Sequence, residues 1–353
     1  MPTQPTPRDA SFVRSLFALN PSSRPYRYGL LVGICMAFPA FVGTLMGNFQ
    51  QGLMAVMGSA IILYLPTSGI AQRMLTLAAC TCGFAFCFFL GLWGSVHPLV
   101  SAAVLAVTAF LVSLVAGYFR IAPPGNFFFI MLAAIATVVP HEPAAIPERI
   151  GLLVMGSMAT CLFAFVYSLL FPAPVAAADL QPLSQNGIRT LVLHSALMGI
   201  FVGGGYWFAH GIGMHNPYWV PISCAAIMQG ANLRMVWLRK IHRIAGTAVG
   251  MVLAFLLFKL IDGPWMLTAA IVILSFVIEM LIPRNYGYAV IFITPLTVIF
   301  AGVASHGLEM NELVFTRLLD ISLGSVIGAL GGVFAHWLVP RMTTVLKQRS
   351  ARH

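Results

Sequence analysis

Long apolar runs follow one another along almost the whole chain, and the few charged residues fall in the short intervals between them. Only 8% of the residues are charged, whereas a soluble globular domain has about 25%. Because so few polar side chains cannot cover a water-soluble body, the solvent of this chain must be lipid. Since a lipid-embedded backbone has to satisfy its own hydrogen bonds, the runs predict an all-α polytopic membrane protein.

The number of runs predicts about 12 transmembrane helices, because roughly 20 apolar residues cross the ~30 Å hydrocarbon core of a bilayer. Little of the chain is left outside the membrane. The predicted spans are 28–46, 51–65, 74–94, 98–119, 126–140, 150–172, 188–209, 217–230, 242–261, 264–283, 286–303 and 315–338.

Positive charges fall on alternate intervals, and this pattern predicts the orientation. If the N-terminus is cytoplasmic, the 19 Lys and Arg residues lie on the inner side except for Arg149, Lys259 and Arg317. Cytoplasmic loops collect Lys and Arg, so the pattern predicts that both termini are inside. The same rule explains the net charge of +10. We therefore expect the lipid bilayer, and no nucleic acid, as a partner.

The six-span unit is present twice. Arg149 precedes Gly156 by the same spacing that separates Arg317 from Gly324. Because six is even, both units enter the membrane from the same side and form parallel repeats, an arrangement found in transporters. The predicted organisation is a cytoplasmic N-terminal arm (1–25), a first six-helix repeat (26–172), a linker (173–187), a second six-helix repeat (188–339) and a cytoplasmic tail (340–353).

The second and fifth spans of each unit are short or interrupted. Tyr218 and Trp219 follow a proline at the start of span 8, and Pro295 lies inside span 11 after Thr294. A proline in a helix frees a backbone carbonyl, and nearby threonines satisfy or expose it. Substrate sites of repeat transporters are marked by such spans. The alternative is a simple kink that a neighbouring span relieves.

Three charged residues are predicted to lie inside spans, where each costs roughly 2.5–3.5 kcal/mol on insertion scales. Asp320 follows Arg317 by three residues, so the two can pair on one helix face. Asp320 then either neutralises Arg317 permanently or exchanges it for a proton or a substrate. Glu279, near the inner end of span 10, either pairs with an arginine or carries a proton.

Arg243 leads into a run of small residues at the start of span 9. Gly246 and Gly250 form a GxxxG face that permits close helix contact, and Thr247 lies between them. An arginine beside such a face could attract an anion from the cytoplasm. The chain has no P-loop, HExxH or GxSxG motif, so we expect no enzyme activity, and we expect neither a cofactor nor a metal.

Taken in order, four motifs resemble those of the fusaric acid resistance and aromatic acid exporter (FUSC-like) family. The resemblance is good over 188–338 and faint over 26–172, where Leu152 replaces the aspartate. Larger members have cytoplasmic domains, so this chain resembles a compact, membrane-only branch. The motifs are Pro217-Tyr218-Trp219, Arg243-x-x-Gly246-Thr247-x-x-Gly250, Tyr288-x5-Thr294-Pro295 and Arg317-x-x-Asp320-x-x-x-Gly324.

The resemblance implies an inner-membrane efflux transporter for small, often aromatic, organic acids or related toxic compounds. It also implies transport without ATP, a periplasmic adaptor of the HlyD type and a homodimer, and the embedded carboxylates Asp320 and Glu279 add proton coupling as an expectation. An organic anion suits Arg243, and an aromatic body suits Tyr218 and Trp219. Two alternatives stay open: an anion channel related to the plant malate channels, and a scaffold that anchors an adaptor without transporting.

Overall fold

The computed structural model describes residues 12–22, 24–172, 184–230, 232–301 and 310–350. These residues form helices joined by short turns, which confirms the predicted all-helical fold for this part of the chain. Most of the predicted linker, at 173–183, lies outside the described residues, as do 1–11 of the arm and 351–353 of the tail. The helices are α1 (Phe12–Phe17), α2 (Tyr26–Leu45), α3 (Phe49–Ser59), α4 (Ile70–Gly94), α5 (Pro98–Tyr118), α6 (Phe127–Ala136), α7 (Ile146–Leu170), α8 (Gln185–Gly211), α9 (Trp219–Met228), α10 (Leu233–Leu260), α11 (Pro264–Leu281), α12 (Tyr286–Ala301) and α13 (Met310–Ser350).

Eight of these helices are long and apolar enough to cross a membrane: α2, α4, α5, α7, α8, α10, α11 and α13. Large apolar side chains on them point away from the protein; Leu75, for example, is 71% exposed. Lipid tails would cover this surface. The protein is therefore a multi-pass membrane protein. The predicted total of about 12 spans depends on four shorter apolar helices, α3 with its 3₁₀ extension Ala60–Tyr64, α6, α9 and α12.

The four shorter helices occupy the second and fifth positions of each predicted unit, so the predicted shortness of these segments is confirmed. Helices α6 and α9 have ten residues each, a rise of about 15 Å and thus half of the hydrocarbon core. All ten residues of α9 are buried. Because the ends of α9 lie within the protein, its unpaired terminal backbone groups are not exposed to lipid.

Helices pack in the same order in the two parts of the chain. In the first part α3 packs on α2 and α7, and α4 packs on α6 and α7. In the second part α9 packs on α8 and α13, and α10 packs on α12 and α13. The two parts meet through α2 with α11 and through α5 with α8. Further contacts join α6 to α9 and α3 to α12, so short helices of both parts lie at the interface between the two parts.

Glycines set the closest helix contacts. A Cβ atom on Gly324 of α13 would lie 2.5 Å from the Val220 carbonyl oxygen of α9. In the first part Gly156 of α7 is pressed in the same way against the Ala55 carbonyl of α3. Only glycine permits this approach of two backbones, and it brings Arg317 and Asp320 of α13 next to α9.

The N-terminal arm is hydrogen-bonded to one end of the second part. The side-chain amide of Asn285 donates to the carbonyls of Leu16 (3.0 Å) and Ala18 (2.9 Å). His242 Nε2 lies 2.9 Å from the same Leu16 oxygen. The arm therefore lies against the start of α12 and against α10 at His242, the residue before Arg243.

Candidate functional site

Arg317 is a buried cation that packs on an aromatic face. Its side chain is on α13, the residue is 3% exposed, and the guanidinium carbon lies 3.8 Å from the centroid of the Trp219 ring. One terminal nitrogen donates to the hydroxyl of Thr297 on α12. Its Nε has no hydrogen-bond partner among the described residues. Helices α9, α12 and α13 thus place Arg317 without satisfying all of its donors.

The predicted ion pair between Arg317 and Asp320 is not formed. The described part of the chain contains two ion pairs, Arg24–Glu279 and Arg149–Glu142. Arg317 is turned toward Trp219 and Thr297 instead, which separates its charge from the carboxylate three residues later.

Asp320 is itself buried and incompletely bonded. It is 1% exposed, and within the described residues its Oδ2 has no hydrogen-bond partner. It remains within electrostatic reach of Arg317. A buried carboxylate without its partners costs free energy, and such groups in membrane spans mark transport paths. The separation of Asp320 from Arg317 is therefore a functional signal.

Arg243 is a second buried cation in the same region. It is 6% exposed on α10, and its Nη1 donates to the Tyr286 hydroxyl at 3.2 Å. Its Nε also lacks a partner among the residues that the structure describes. Arg243 and Arg317 lie within electrostatic reach of each other. Like charges in a low-dielectric core repel, so this arrangement favours an anion between or beside them.

Helix α12 contacts both arginines, Arg243 through Tyr286 and Arg317 through Thr297, and it contains a proline. Pro295 has no N–H group, so the carbonyl of Ile291 loses its helical partner. Gly250 of α10 faces that carbonyl, since a Cβ there would lie 2.6 Å from it. Thr294 donates to Val290 O at 2.9 Å and is 2% exposed. The predicted GxxxG face of α10 therefore packs on α12, which is continuous through Pro295.

Thr297 is the residue of α12 that contacts Arg317. It is not among the predicted site residues. Its hydroxyl lies 2.7 Å from the Ile293 carbonyl and 3.0 Å from that of Thr294, and it accepts from Arg317. The signal that could have identified it is its place two residues after Pro295, where a threonine hydroxyl can bond back to the carbonyls three and four residues earlier.

The predicted aromatic pair lies in the core and not in an interfacial belt. Tyr218 and Trp219 are each 3% exposed, and their ring centroids are 4.9 Å apart. Tyr218 is within electrostatic reach of Arg317 and Asp320. Thr247 is buried on α10, four residues after Arg243. The structure thus groups eight of the predicted site residues around α9, α10, α12 and α13.

Glu279, the ninth predicted residue, lies elsewhere. It is 2% exposed on α11 and pairs with Arg24, which immediately precedes α2. Of the two roles predicted for it, the geometry matches pairing with an arginine. This pair joins the arm and α2 of the first part to α11 of the second part.

The first part has counterparts of both arginines, but among the described residues neither of these two has a buried donor without a partner. Arg73 donates to Pro66 O (3.1 Å), Ser168 Oγ (3.1 Å) and Phe171 O (3.3 Å). Arg149 donates to Pro140 O (2.7 Å) and to Glu142 (2.9 Å). These contacts join loops to helices. The arginines that have a buried donor without a partner, Arg243 and Arg317, therefore belong to the second part.

Comparisons with known proteins identify the same segment. Residues 202–331 match the family described as fusaric acid resistance protein-like, which confirms the predicted resemblance over that range. All of the predicted site residues lie within it. A stretch of 141 residues is 33% identical to the "Uncharacterized membrane protein YvaC" of Bacillus subtilis (strain 168). The match covers 40% of this chain and 22% of that protein. No solved structure gives a significant match.

Proposed function

We propose that the protein is a secondary transporter that exports small organic acids, aromatic ones among them, across a bacterial inner membrane. The proposal includes both termini in the cytoplasm, twelve membrane segments and a proton-linked carboxylate. The resemblance adds a periplasmic HlyD-type adaptor and a homodimer to it. The observation on which the proposal chiefly rests is the pair of buried, incompletely bonded arginines, Arg243 and Arg317.

A duplicated fold supports a transporter. Corresponding helices of the two parts pack in the same pairs, and the contact of α2 with α11 is the counterpart of that between α5 and α8. At the interface between the two parts, the short helix α6 contacts α9 and the short helix α3 contacts α12. In repeat transporters the substrate path lies beside such short helices, and one unit rocks against the other.

The charges of the site suit one monovalent anion. Arg243 and Arg317 are buried within reach of each other, and Asp320 is the single carboxylate among the grouped residues. When Asp320 is ionised, the three groups have a net charge of about +1, which one carboxylate substrate neutralises. The membrane potential, negative inside, then favours outward movement of the anion by about 2.3 kcal/mol per 100 mV.

Asp320 provides the proton link. Its ionised carboxylate competes with a substrate carboxylate for Arg317, whereas the protonated form does not. Proton binding at Asp320 and anion binding at Arg317 therefore favour each other, and in this proposal Asp320 returns its proton to the side from which it bound, so that the anion alone carries charge across the membrane. Trp219 stacks on the guanidinium and offers an aromatic ring beside the anion, which suits a substrate with an aromatic body.

The anion channel is the second candidate, because two buried arginines in one region also favour a conducted anion. A transporter and a channel differ in how flux depends on concentration and on substrate on the opposite side. A transporter saturates and is accelerated by substrate on the far side, since its loaded site returns faster than its empty one. A channel shows no such acceleration by substrate on the far side.

The test is uptake of labelled p-hydroxybenzoate into inverted membrane vesicles, with vesicles that lack the protein as the control. We expect uptake that saturates, that collapses when a protonophore abolishes energisation and that accelerates when the vesicles are preloaded with unlabelled substrate. Linear, unaccelerated flux would contradict the transporter and identify a channel. Failure to move any of a panel of aromatic and aliphatic acids would overturn the proposal and favour a scaffold.

A further inference from the structure

A polar cavity lies at the end of the protein away from the N-terminal arm. Its volume is about 430 Å³, and its walls come from both parts of the chain. The first part contributes the turn between α4 and α5 and the end of α6; the second part contributes the end of α8 and the turn before α9. The lining residues are Ser95, Pro98, Ser101, Thr137, Val138, Tyr206, His210, Gly213, Met214, His215 and Pro217.

One phenol in this cavity has no protein partner. Tyr206 is 3% exposed, yet its hydroxyl makes no hydrogen bond with the described residues, and its ring contact is with His210. A buried tyrosine hydroxyl ordinarily finds a partner. Because Tyr206 lines the cavity, water or a ligand in the cavity can accept a hydrogen bond from its hydroxyl.

The neighbouring hydroxyls are already used. Ser101 donates to Gly94 O at 2.9 Å, Thr137 donates to Ala134 O at 2.7 Å, and Ser95 donates to Leu92 O at 2.7 Å. Each satisfies a backbone carbonyl near the end of its own or the preceding helix. The donor that remains for a ligand is therefore the Tyr206 hydroxyl, with the exposed imidazoles of His210 and His215 beside it.

The lining chemistry favours an organic anion. No Asp, Glu, Lys or Arg is among the described lining residues, and the free polar groups are a phenol and two imidazoles. A hydroxyl and imidazole N–H groups donate to a carboxylate, and no acidic side chain on the described lining repels it. Pro98, Val138, Met214 and Pro217 add apolar walls. A small acid with an apolar body matches both features.

The cavity adjoins the arginine site through one short stretch of chain. Pro217 lines the cavity, and the next two residues are Tyr218 and Trp219, the latter stacked on Arg317. We propose that this cavity is a second binding site for small organic acids, in which Tyr206 donates to the carboxylate. The role as an exit site, on the outer face, rests on the proposed export function.

The test measures p-hydroxybenzoate binding to the purified full-length protein by calorimetry, in an Arg317→Gln background that removes the first site. We expect one residual site. In that background Tyr206→Phe, which retains the ring and removes the hydroxyl, is expected to weaken the residual site about 10-fold to 100-fold. Tyr118→Phe, at a 55% exposed position, is the matched control and is expected to change nothing.

The outcomes separate this inference from the proposed function. Absence of a residual site, or a residual site that Tyr206→Phe leaves unchanged, would overturn the cavity site while energised transport by the wild type still stood. A residual site that depends on Tyr206 in a protein that transports nothing would retain the cavity and overturn export. Thermal unfolding of each variant confirms that the comparison is between folded proteins.

Discussion

Replacing Arg317 by Gln is expected to reduce organic-acid transport by roughly 100-fold or more. The substitution removes a buried charge that stacks on Trp219 and that the described residues leave partly unbonded. Loss of one partner from a buried, hydrogen-bonded charge pair costs about 2–5 kcal/mol, and each 1.4 kcal/mol is tenfold. Arg317→Lys is expected to be intermediate, because lysine retains the charge but not the planar group that reaches both Trp219 and Thr297. The measurement is the initial rate of p-hydroxybenzoate uptake per mole of protein.

The matched control is Arg149→Gln, at the corresponding position of the first part. Arg149 donates to the Pro140 carbonyl and to Glu142, so its loss removes structural contacts at a loop. We expect a lower unfolding temperature and a transport rate close to that of the wild type. Equal transport defects in the two variants would contradict the assignment of the anion path to the second part.

Replacing Gly250 by Ala is expected to separate α10 from α12 and to lower both stability and transport. The added Cβ would lie 2.6 Å from Ile291 O and 2.7 Å from Thr294 Cβ, so the two helices have to move apart. Overpacking of this kind costs about 1–3 kcal/mol. Because Thr294 precedes Pro295 and Thr297 contacts Arg317, the shift also displaces Arg317. The measurement is thermal unfolding in detergent together with the uptake rate.

Gly151→Ala is the control for that experiment. Gly151 lies within α7, and a Cβ there would have no neighbour within 4 Å. Alanine is the better helix former by about 1 kcal/mol, so we expect unchanged or slightly higher stability. A Gly250→Ala protein that unfolds and transports like the Gly151→Ala protein would show that close contact between α10 and α12 is not required.

The helices and the short segments could be predicted from the sequence because they follow from hydropathy alone. The ten-residue α9 is recognisable by Pro217 before it and by the polar residues after Met228. Pro295 likewise marks α12, which continues as a helix through the proline from Tyr286 to Ala301. Such features depend on local chain properties, namely length, apolar content and the missing N–H of proline.

The pairing of charges could not be predicted, because it depends on side-chain direction. Spacing placed Asp320 and Arg317 on one helix face, but the guanidinium reaches across to Trp219 and Thr297. The partner of Glu279 is Arg24, which is 255 residues away in the chain. Contacts between distant segments have no signature in a single sequence. The hydrogen bonds from Asn285 to the N-terminal arm are a second example.

The central claim is that an organic anion binds at Arg317 in competition with the Asp320 carboxylate. Its most direct test is calorimetric titration of the purified protein with p-hydroxybenzoate, in buffers of different ionisation enthalpy, between about pH 5 and pH 8. The account predicts that the wild type takes up a fraction of a proton with each anion bound and loses affinity as the pH rises. Asp320→Asn should bind with pH-independent affinity and take up no proton at this site. Binding without proton uptake, or proton uptake that persists in Asp320→Asn, would contradict the claim.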